Sequence, residues 1–96
     1  MESGGFEWDP AKNRANRRKH GIGFEDAATI FGGSYVEGPD ERSDYGEDRF
    51  LAFGQMGPYV VAVVFCLRPG RRRIISARKA TRPESEAYWE VVHGDT

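Results

Sequence analysis

The chain has 96 residues, of which 39% are hydrophobic and 30% are charged, and its formal net charge is −1. This length fits one domain with one modest core. No apolar run approaches the roughly 20 residues of a membrane-spanning helix, and the first residues lack the pattern of a signal peptide. We therefore expect a cytoplasmic protein without a membrane segment. Residues 1–96 are predicted to form a single domain, with disorder at 1–5 and 93–96.

The charges are unevenly distributed along the chain. Five of the 14 Lys and Arg residues lie in Lys12–Lys19 and seven lie in Arg68–Arg82, whereas six of the 15 acids lie in Glu37–Asp48. Such segregation lets a nearly neutral protein present a basic face. The two basic segments are therefore predicted to bind RNA. Cys66 is the only cysteine, which excludes an intrachain disulfide and a cysteine metal cluster.

Two helices are predicted near the start of the chain. The first is Pro10–His20, because Asp9 is a suitable N-cap and proline suits the first helical position. This helix is mostly polar, and its only small apolar stripe is Ala11 and Ala15. Apolar residues at helical spacing predict a second helix over Phe24–Phe31.

Strands and a last helix follow a polar loop over 38–46. The predicted strands are a short edge strand at 34–37, then Asp48–Met56, Tyr59–Leu67 and Arg72–Arg78. Thr81 and Glu84 have the spacing of a capping box at the start of the last helix. The order predicts an α+β fold in which an antiparallel sheet of 3–4 strands packs with two N-terminal helices and one C-terminal helix.

Basic residues in the last strand are the first candidates for chemistry. Strict alternation places Arg72 and Arg78 on one face of this strand, and Arg73 and Lys79 on the other. A guanidinium group can bind a phosphate bidentately and stabilise charge that develops on phosphorus. The alternative is that these side chains are solvated and keep an edge strand from aggregating. Spacing alone leaves both interpretations open.

Three further residues have both a functional and a structural interpretation. His20 suits general acid–base chemistry near neutral pH, or it is a cation at a helix C-terminus. Arg49 is either a phosphate clamp or the partner of Glu47 in a surface ion pair. Trp8 either stacks on RNA bases or closes the core, and we favour the core.

The sequence contains no P-loop, no His-x-x-x-His pair and no carboxylate trio suited to two metal ions. We therefore expect no metal site and no cofactor. RNA can be cut without a metal because its own 2′-hydroxyl can attack the adjacent phosphate. Such a reaction needs an acid, a base and cationic stabilisation.

Three segments together resemble the BrnT family of toxins. They are Phe6–Pro10 with Lys12, Asn16, Lys19–Gly21, Phe24 and Ala27, then Glu47–Phe50 with Gly54, and finally Arg73–Ala80 with Glu84 and Tyr88. The resemblance implies a RelE-like ribonuclease toxin of a bacterial type II toxin–antitoxin system, which slows growth by cutting RNA. It also implies a BrnA-type antitoxin, with operator DNA bound only through the antitoxin complex. The expected assembly is a homodimer or a toxin–antitoxin heterotetramer.

Residue roles are assigned by chemistry on these positions. The predicted catalytic residues are Arg78, Lys79, His20 and Arg49, and the predicted RNA-binding residues are Lys12, Arg17, Lys19, Arg72, Arg73 and Trp8. Arg78 and Lys79 would stabilise the phosphate, His20 would be an acid or base, and Arg49 would be a secondary clamp. The alternative is a non-catalytic module that binds nucleic acid or protein through its basic faces.

Overall fold

The computed structural model describes residues 2–40 and 46–94. Its helices are α1 (Pro10–His20), α2 (Phe24–Ala27) and α3 (Arg82–His93), and a 3₁₀ turn, Ala28–Gly32, continues α2. Its strands are β1 (Glu2–Ser3), β2 (Phe6–Glu7), β3 (Tyr35–Pro39), β4 (Phe50–Met56), β5 (Tyr59–Arg68) and β6 (Arg71–Lys79). No helix in this described part of the chain has the length and apolar character needed to cross a membrane.

The strands form one sheet in the order β1-β2-β6-β5-β4-β3. All neighbouring pairs are antiparallel except β2 and β6, which are parallel. The predicted α+β class is therefore confirmed, but the prediction of a purely antiparallel sheet of 3–4 strands is wrong. The two additional strands have two residues each, and segments this short carry no recognisable alternation.

A tight hairpin joins β1 to β2 through Gly4 and Gly5, whose φ angles are +55° and +88°. Two-residue hairpin turns with positive φ at both central residues strongly favour glycine. Glu2–Ser3 pairs with β2, and α3 continues to His93. The disorder predicted at 1–5 and 93–96 stays a prediction. Residues 1, 95 and 96 lie outside the described part.

The predicted second helix is present but changes character part-way. It is α-helical over Phe24–Ala27 and continues as the 3₁₀ turn to Gly32. The edge strand predicted at 34–37 corresponds to β3, which extends to Pro39. Within the predicted polar loop, residues 41–45 lie outside the described part.

The core lies between the sheet and the N-terminal helical layer. The layer contributes Trp8, Ile22, Phe24, Ala27 and Ile30, and the sheet contributes Ala52, Val61, Val63, Phe65, Ile74 and Ala77. Close packing requires a glycine on β4, because a Cβ atom at Gly54 would lie 2.5 Å from the Cβ of Ile30. The 3₁₀ turn is therefore seated directly on the sheet backbone.

β6 contains a β-bulge that changes which side chains share a face. Its register against β5 shifts between Ile74 and Ser76, so Ile75 is one extra residue. Ile74 and Ala77 consequently both face the core, although strict alternation would separate them.

The bulge overturns the predicted grouping of the basic residues. Arg72 and Lys79 pair with Leu67 and Val61 of β5. Val61 is a core residue and Leu67 lies an even number of residues from it, so Arg72 and Lys79 lie on the face that carries the N-terminal helices. Arg73 and Arg78 lie on the opposite face. The predicted pairing of Arg72 with Arg78 on one face is wrong because a single inserted residue reverses the alternation.

α3 packs on that opposite face. The predicted capping box is confirmed, since Thr81 and Glu84 make both of its reciprocal hydrogen bonds. Tyr88 is buried, and its hydroxyl donates to the carbonyl oxygen of Ser34 at 2.7 Å. These contacts fix α3 between the end of β6 and the start of β3.

Candidate functional site

Asn16 joins α1 to β6. Its side-chain amide donates to the carbonyl oxygens of Ile22 and Ala77 at 2.9 and 2.8 Å, and its oxygen accepts from the Ala77 N–H at 3.2 Å. Along β6, β2 pairs with Arg72 and Arg73 and ends before Ala77. The amide of Asn16 therefore replaces a neighbouring strand at Ala77, where a buried backbone group would otherwise lose a hydrogen bond.

This contact also fixes the direction of α1. The helix follows β2, which ends beside the first half of β6, and Asn16 then reaches Ala77 in the second half. α1 therefore runs in the same direction as β6. His20 lies about 6 Å beyond Asn16 along the helix, and Lys79 lies about 7 Å beyond Ala77 along the strand. His20 and Lys79 therefore lie towards the same end of the sheet.

Lys79 is exposed at this end of the sheet. Its ammonium nitrogen lies 4.2 Å from the ring centroid of Tyr59, the first residue of β5. Tyr59 is 47% exposed. The aromatic face holds the ammonium group in place while leaving its N–H donors accessible to an anion.

Arg78 is bound to Glu84 by a two-pronged ion pair. The two guanidinium nitrogens donate to the two carboxylate oxygens at 2.8 and 3.0 Å. Donation from Arg78 is the main cause that lowers the pKa of Glu84 to about 2, and the Thr81 N–H adds to it. One guanidinium nitrogen also donates to the Lys79 carbonyl oxygen at 3.3 Å. Arg78 therefore holds the end of β6 against α3, and the Glu84 carboxylate neutralises most of its charge.

The arginines at the other end of β6 also have partners. Arg73 donates to Glu7 of β2 at 2.6 Å. The guanidinium of Arg72 lies 4.3 Å from the centroid of the Phe31 ring and donates to the Tyr35 hydroxyl at 3.1 Å. These two predicted RNA-binding residues thus contact side chains of the protein itself.

α1 buries amides rather than its alanines. Asn13 and Asn16 are each 7% exposed, whereas Ala11 and Ala15 are exposed. Besides the contacts of Asn16, the oxygen of Asn13 accepts from the Phe24 N–H at 2.8 Å, at the start of α2. The sequence analysis named Asn16 only as a residue of the family-like segment, without a role, and missed Asn13. The available signal was their spacing of three residues on a helix face without large apolar groups.

The basic residues of α1 differ in how they are engaged. Arg17 pairs with Glu25 at 3.1 Å. Glu25 also accepts from its own backbone N–H and from Asn13, and these bonds are the main causes that lower its pKa. The other four cations of the helix are exposed and make no ion pair with the described part of the chain: Lys12, Arg14, Arg18 and Lys19.

Arg49 lies apart from the other predicted catalytic residues. It precedes β4, and the strand register places it four residues from Phe53, which lies in the same row of the sheet as Arg78. The Cα atom of Arg49 is thus roughly 16 Å from the Cα atom of Arg78. Glu47, its predicted ion-pair partner, instead pairs with Arg68 at 3.2 Å.

Trp8 belongs to the core. It is 2% exposed and makes an edge-to-face contact with Phe24, with ring centroids 6.3 Å apart. Our preferred interpretation, a residue that closes the core, is confirmed. The alternative RNA-stacking role does not fit this burial, because a base needs access to the ring face.

Residues 2–40 and 46–94 contain no group of three His, Cys, Asp or Glu side chains close enough to hold a metal ion. The candidate site is therefore the end of the sheet that carries Lys79 and Tyr59, towards which α1 directs His20. Arg78 and Glu84 brace this end from the opposite face.

Comparison with known proteins agrees with the residue pattern. No curated protein matches the chain. A family model described as "Ribonuclease toxin, BrnT, of type II toxin-antitoxin system" matches residues 8–84. This range includes α1, the whole of β6 and the Arg78–Glu84 pair. Since the match covers most of the chain, this protein belongs to the BrnT family of ribonuclease toxins of type II toxin–antitoxin systems.

Proposed function

We propose that this chain is an endoribonuclease that inhibits translation and growth by cutting RNA without a metal ion. Membership of the family supports a ribonuclease activity. In the proposed reaction a base removes the proton of a 2′-hydroxyl, and the oxygen attacks the adjacent phosphorus. An acid donates a proton to the departing 5′-oxygen, which leaves a 2′,3′-cyclic phosphate on the upstream fragment.

The exposed Lys79 ammonium beside Tyr59 is the observation that carries this proposal. A fixed cation with accessible N–H donors can stabilise the negative charge that grows on the phosphoryl oxygens in the transition state. His20 is proposed as the acid or base, because α1 carries it towards the same end of the sheet.

Arg78 is proposed as a positioning residue. Its guanidinium is shared between Glu84 and the Lys79 carbonyl oxygen, so it fixes the backbone that presents Lys79. We leave Arg49 out of the proposed site, because the strand register places its Cα atom roughly 16 Å from that of Arg78. Lys12 and Lys19 are proposed to bind the RNA backbone from the exposed side of α1.

A type II toxin–antitoxin system includes an antitoxin protein as the partner of the toxin. We propose a BrnA-type antitoxin, a RelE-like toxin fold and a homodimer or toxin–antitoxin heterotetramer as the assembly. In this proposal operator DNA is bound by the complex through the antitoxin. The toxin alone would bind RNA through α1 and the Lys79 end of β6.

The test incubates the purified chain with a labelled single-stranded RNA in excess chelator, and identifies the ends of the products. We expect cutting in chelator, fragments that end in a 2′,3′-cyclic phosphate, and no cutting of DNA. His20→Asn should lower the rate. Salt-sensitive RNA binding without any fragments would instead support the non-catalytic binding module.

A further inference from the structure

Two clefts meet at the end of β6 that lies away from Lys79. The first has a volume of about 620 Å³ and is lined by the aromatic residues Phe6, Trp8 and Phe31, with Gly32 at its edge. The second has a volume of about 430 Å³. Both clefts are lined by Gly4, Phe6 and Arg72, so they form one continuous surface.

The two clefts differ in chemistry. The first is lined by three aromatic residues, and also by Glu25, Thr29 and Arg72. Among the described residues, those that line the second include three arginines, Arg68, Arg71 and Arg72. Leu67, at the edge of the second cleft, is 57% exposed. An exposed aliphatic side chain among arginines and beside an aromatic cleft is typical of a protein interface, with an apolar centre and a charged rim.

We propose that this double cleft binds the antitoxin, through a segment that carries a large apolar side chain followed or preceded by acidic residues. The apolar side chain would enter the aromatic cleft, and the carboxylates would lie against the three arginines. The inference rests on the antitoxin partner of the proposed function. It adds where and by what chemistry that partner is held.

A protein segment fits this surface better than RNA does. Arg72 already lies over Phe31, and Glu37 lies 3.6 Å from its guanidinium, while Glu47 pairs with Arg68. These two carboxylates neutralise part of the arginine charge. This weakens the binding of a phosphate backbone, which depends mainly on charge, more than the binding of a protein segment, whose affinity comes mainly from apolar burial.

The position of the surface has a consequence for inhibition. Arg72 and Lys79 are seven residues apart on β6, which corresponds to roughly 20 Å. The antitoxin segment held here therefore leaves the Lys79 end uncovered. If the antitoxin also covers the Lys79 end, it does so with another of its segments. The contact at the double cleft keeps that segment at high local concentration.

The test measures the affinity of the purified antitoxin encoded beside this chain for four single variants, by calorimetry. Gly32→Phe places a ring in the first cleft, where a Cβ meets no atom within 4 Å. Gly33→Phe is its matched control, because Gly33 has equal space but lines a different cleft beside α3. Leu67→Ser is matched by Val91→Ser, since Val91 on α3 is 65% exposed.

We expect Gly32→Phe and Leu67→Ser each to weaken antitoxin binding at least about tenfold. The two controls should change it less than about twofold, and all four variants should keep the wild-type melting temperature and RNA cleavage. Wild-type affinity in both cleft variants would overturn the proposal. A loss of RNA binding in place of antitoxin binding, or equal losses in cleft and control variants, would also overturn it. Because the readout is binding, an inactive toxin would contradict the proposed function without affecting this result.

Discussion

α1 and β6 contain most of the basic residues of the chain, but they use them differently. In β6 the arginines at 72, 73 and 78 contact carboxylates or aromatic rings of the protein itself. In α1 four of the five cations are exposed without an ion pair in the described part of the chain. A basic run in a sequence therefore gives the number of charges, and the folded contacts decide how many remain available to a ligand.

The largest effect is expected at Asn16, whose side chain joins α1 to β6. Asn16→Ala leaves the N–H and C=O of Ala77 and the C=O of Ile22 without their side-chain partner. We expect a loss of about 2–4 kcal/mol in the free energy of unfolding. Urea denaturation measures it, and the exposed Arg14→Ala is the control, with an expected change within about 0.5 kcal/mol. A similar small loss for Asn16→Ala would contradict the role of this amide.

The ion pair of Arg78 predicts a dependence of stability on pH. Glu84→Gln keeps a capping side chain but removes the charge, and should cost about 1–2 kcal/mol at neutral pH. The folded pKa of Glu84, about 2, is below its usual value of 4.5. Its contribution is therefore fully present above pH 4.5 and is lost as the pH falls towards 2.

Thermal or urea unfolding across this pH range tests that sign. The stability difference between wild type and Glu84→Gln should shrink from pH 4.5 downwards. Glu90→Gln, an exposed position on α3, should show no such change. A wild-type advantage that stays constant from pH 7 to pH 3 would show that the charge of Glu84 does not stabilise the fold.

RNA binding separates the two basic elements directly. Lys12→Ala combined with Lys19→Ala removes two exposed charges of α1. It should weaken RNA binding several-fold and reduce the slope of log affinity against log salt by about 1.4, at roughly 0.7 per phosphate contact. Arg73→Ala should leave that slope unchanged, because Arg73 is paired with Glu7. If Arg73→Ala reduced the slope and the α1 double variant did not, β6 rather than α1 would contact the RNA backbone.

The smallest expected effect is at Arg49. Because it lies roughly 16 Å from Arg78, Arg49→Ala should change the cleavage rate at saturating RNA by less than about twofold. A rate loss approaching that of a Lys79 variant would require Arg49 to reach the phosphate, which would contradict the position that the strand register gives it.

Local signals in the sequence predicted much of the fold. Asp9 caps α1, and Thr81 with Glu84 caps α3, because both motifs depend only on neighbouring residues. β2 and the bulge at Ile75 were not predictable in the same way. A two-residue parallel strand and a one-residue insertion depend on the partner strand, which spacing does not reveal.

The candidate site was predictable in residue type but not in role. The family-like segments contain Lys79 and Arg78, and the sequence analysis assigned the same phosphate-stabilising role to both residues. Their difference comes from Glu84, whose position in a capping box turns its carboxylate towards Arg78 as well as towards the helix start. Tyr59 stands beside Lys79 only because β5 begins where β6 ends.

The most direct test of the account compares two single-residue variants in a single-turnover RNA cleavage assay at saturating RNA. Lys79→Met removes the cation proposed to stabilise the phosphate, and should lower the cleavage rate about 100-fold or more. Arg82→Met removes an exposed cation of α3 nearby in sequence and should leave the rate within about twofold. Equal rates for the two variants would contradict the assignment of the chemistry to the Lys79 end of β6.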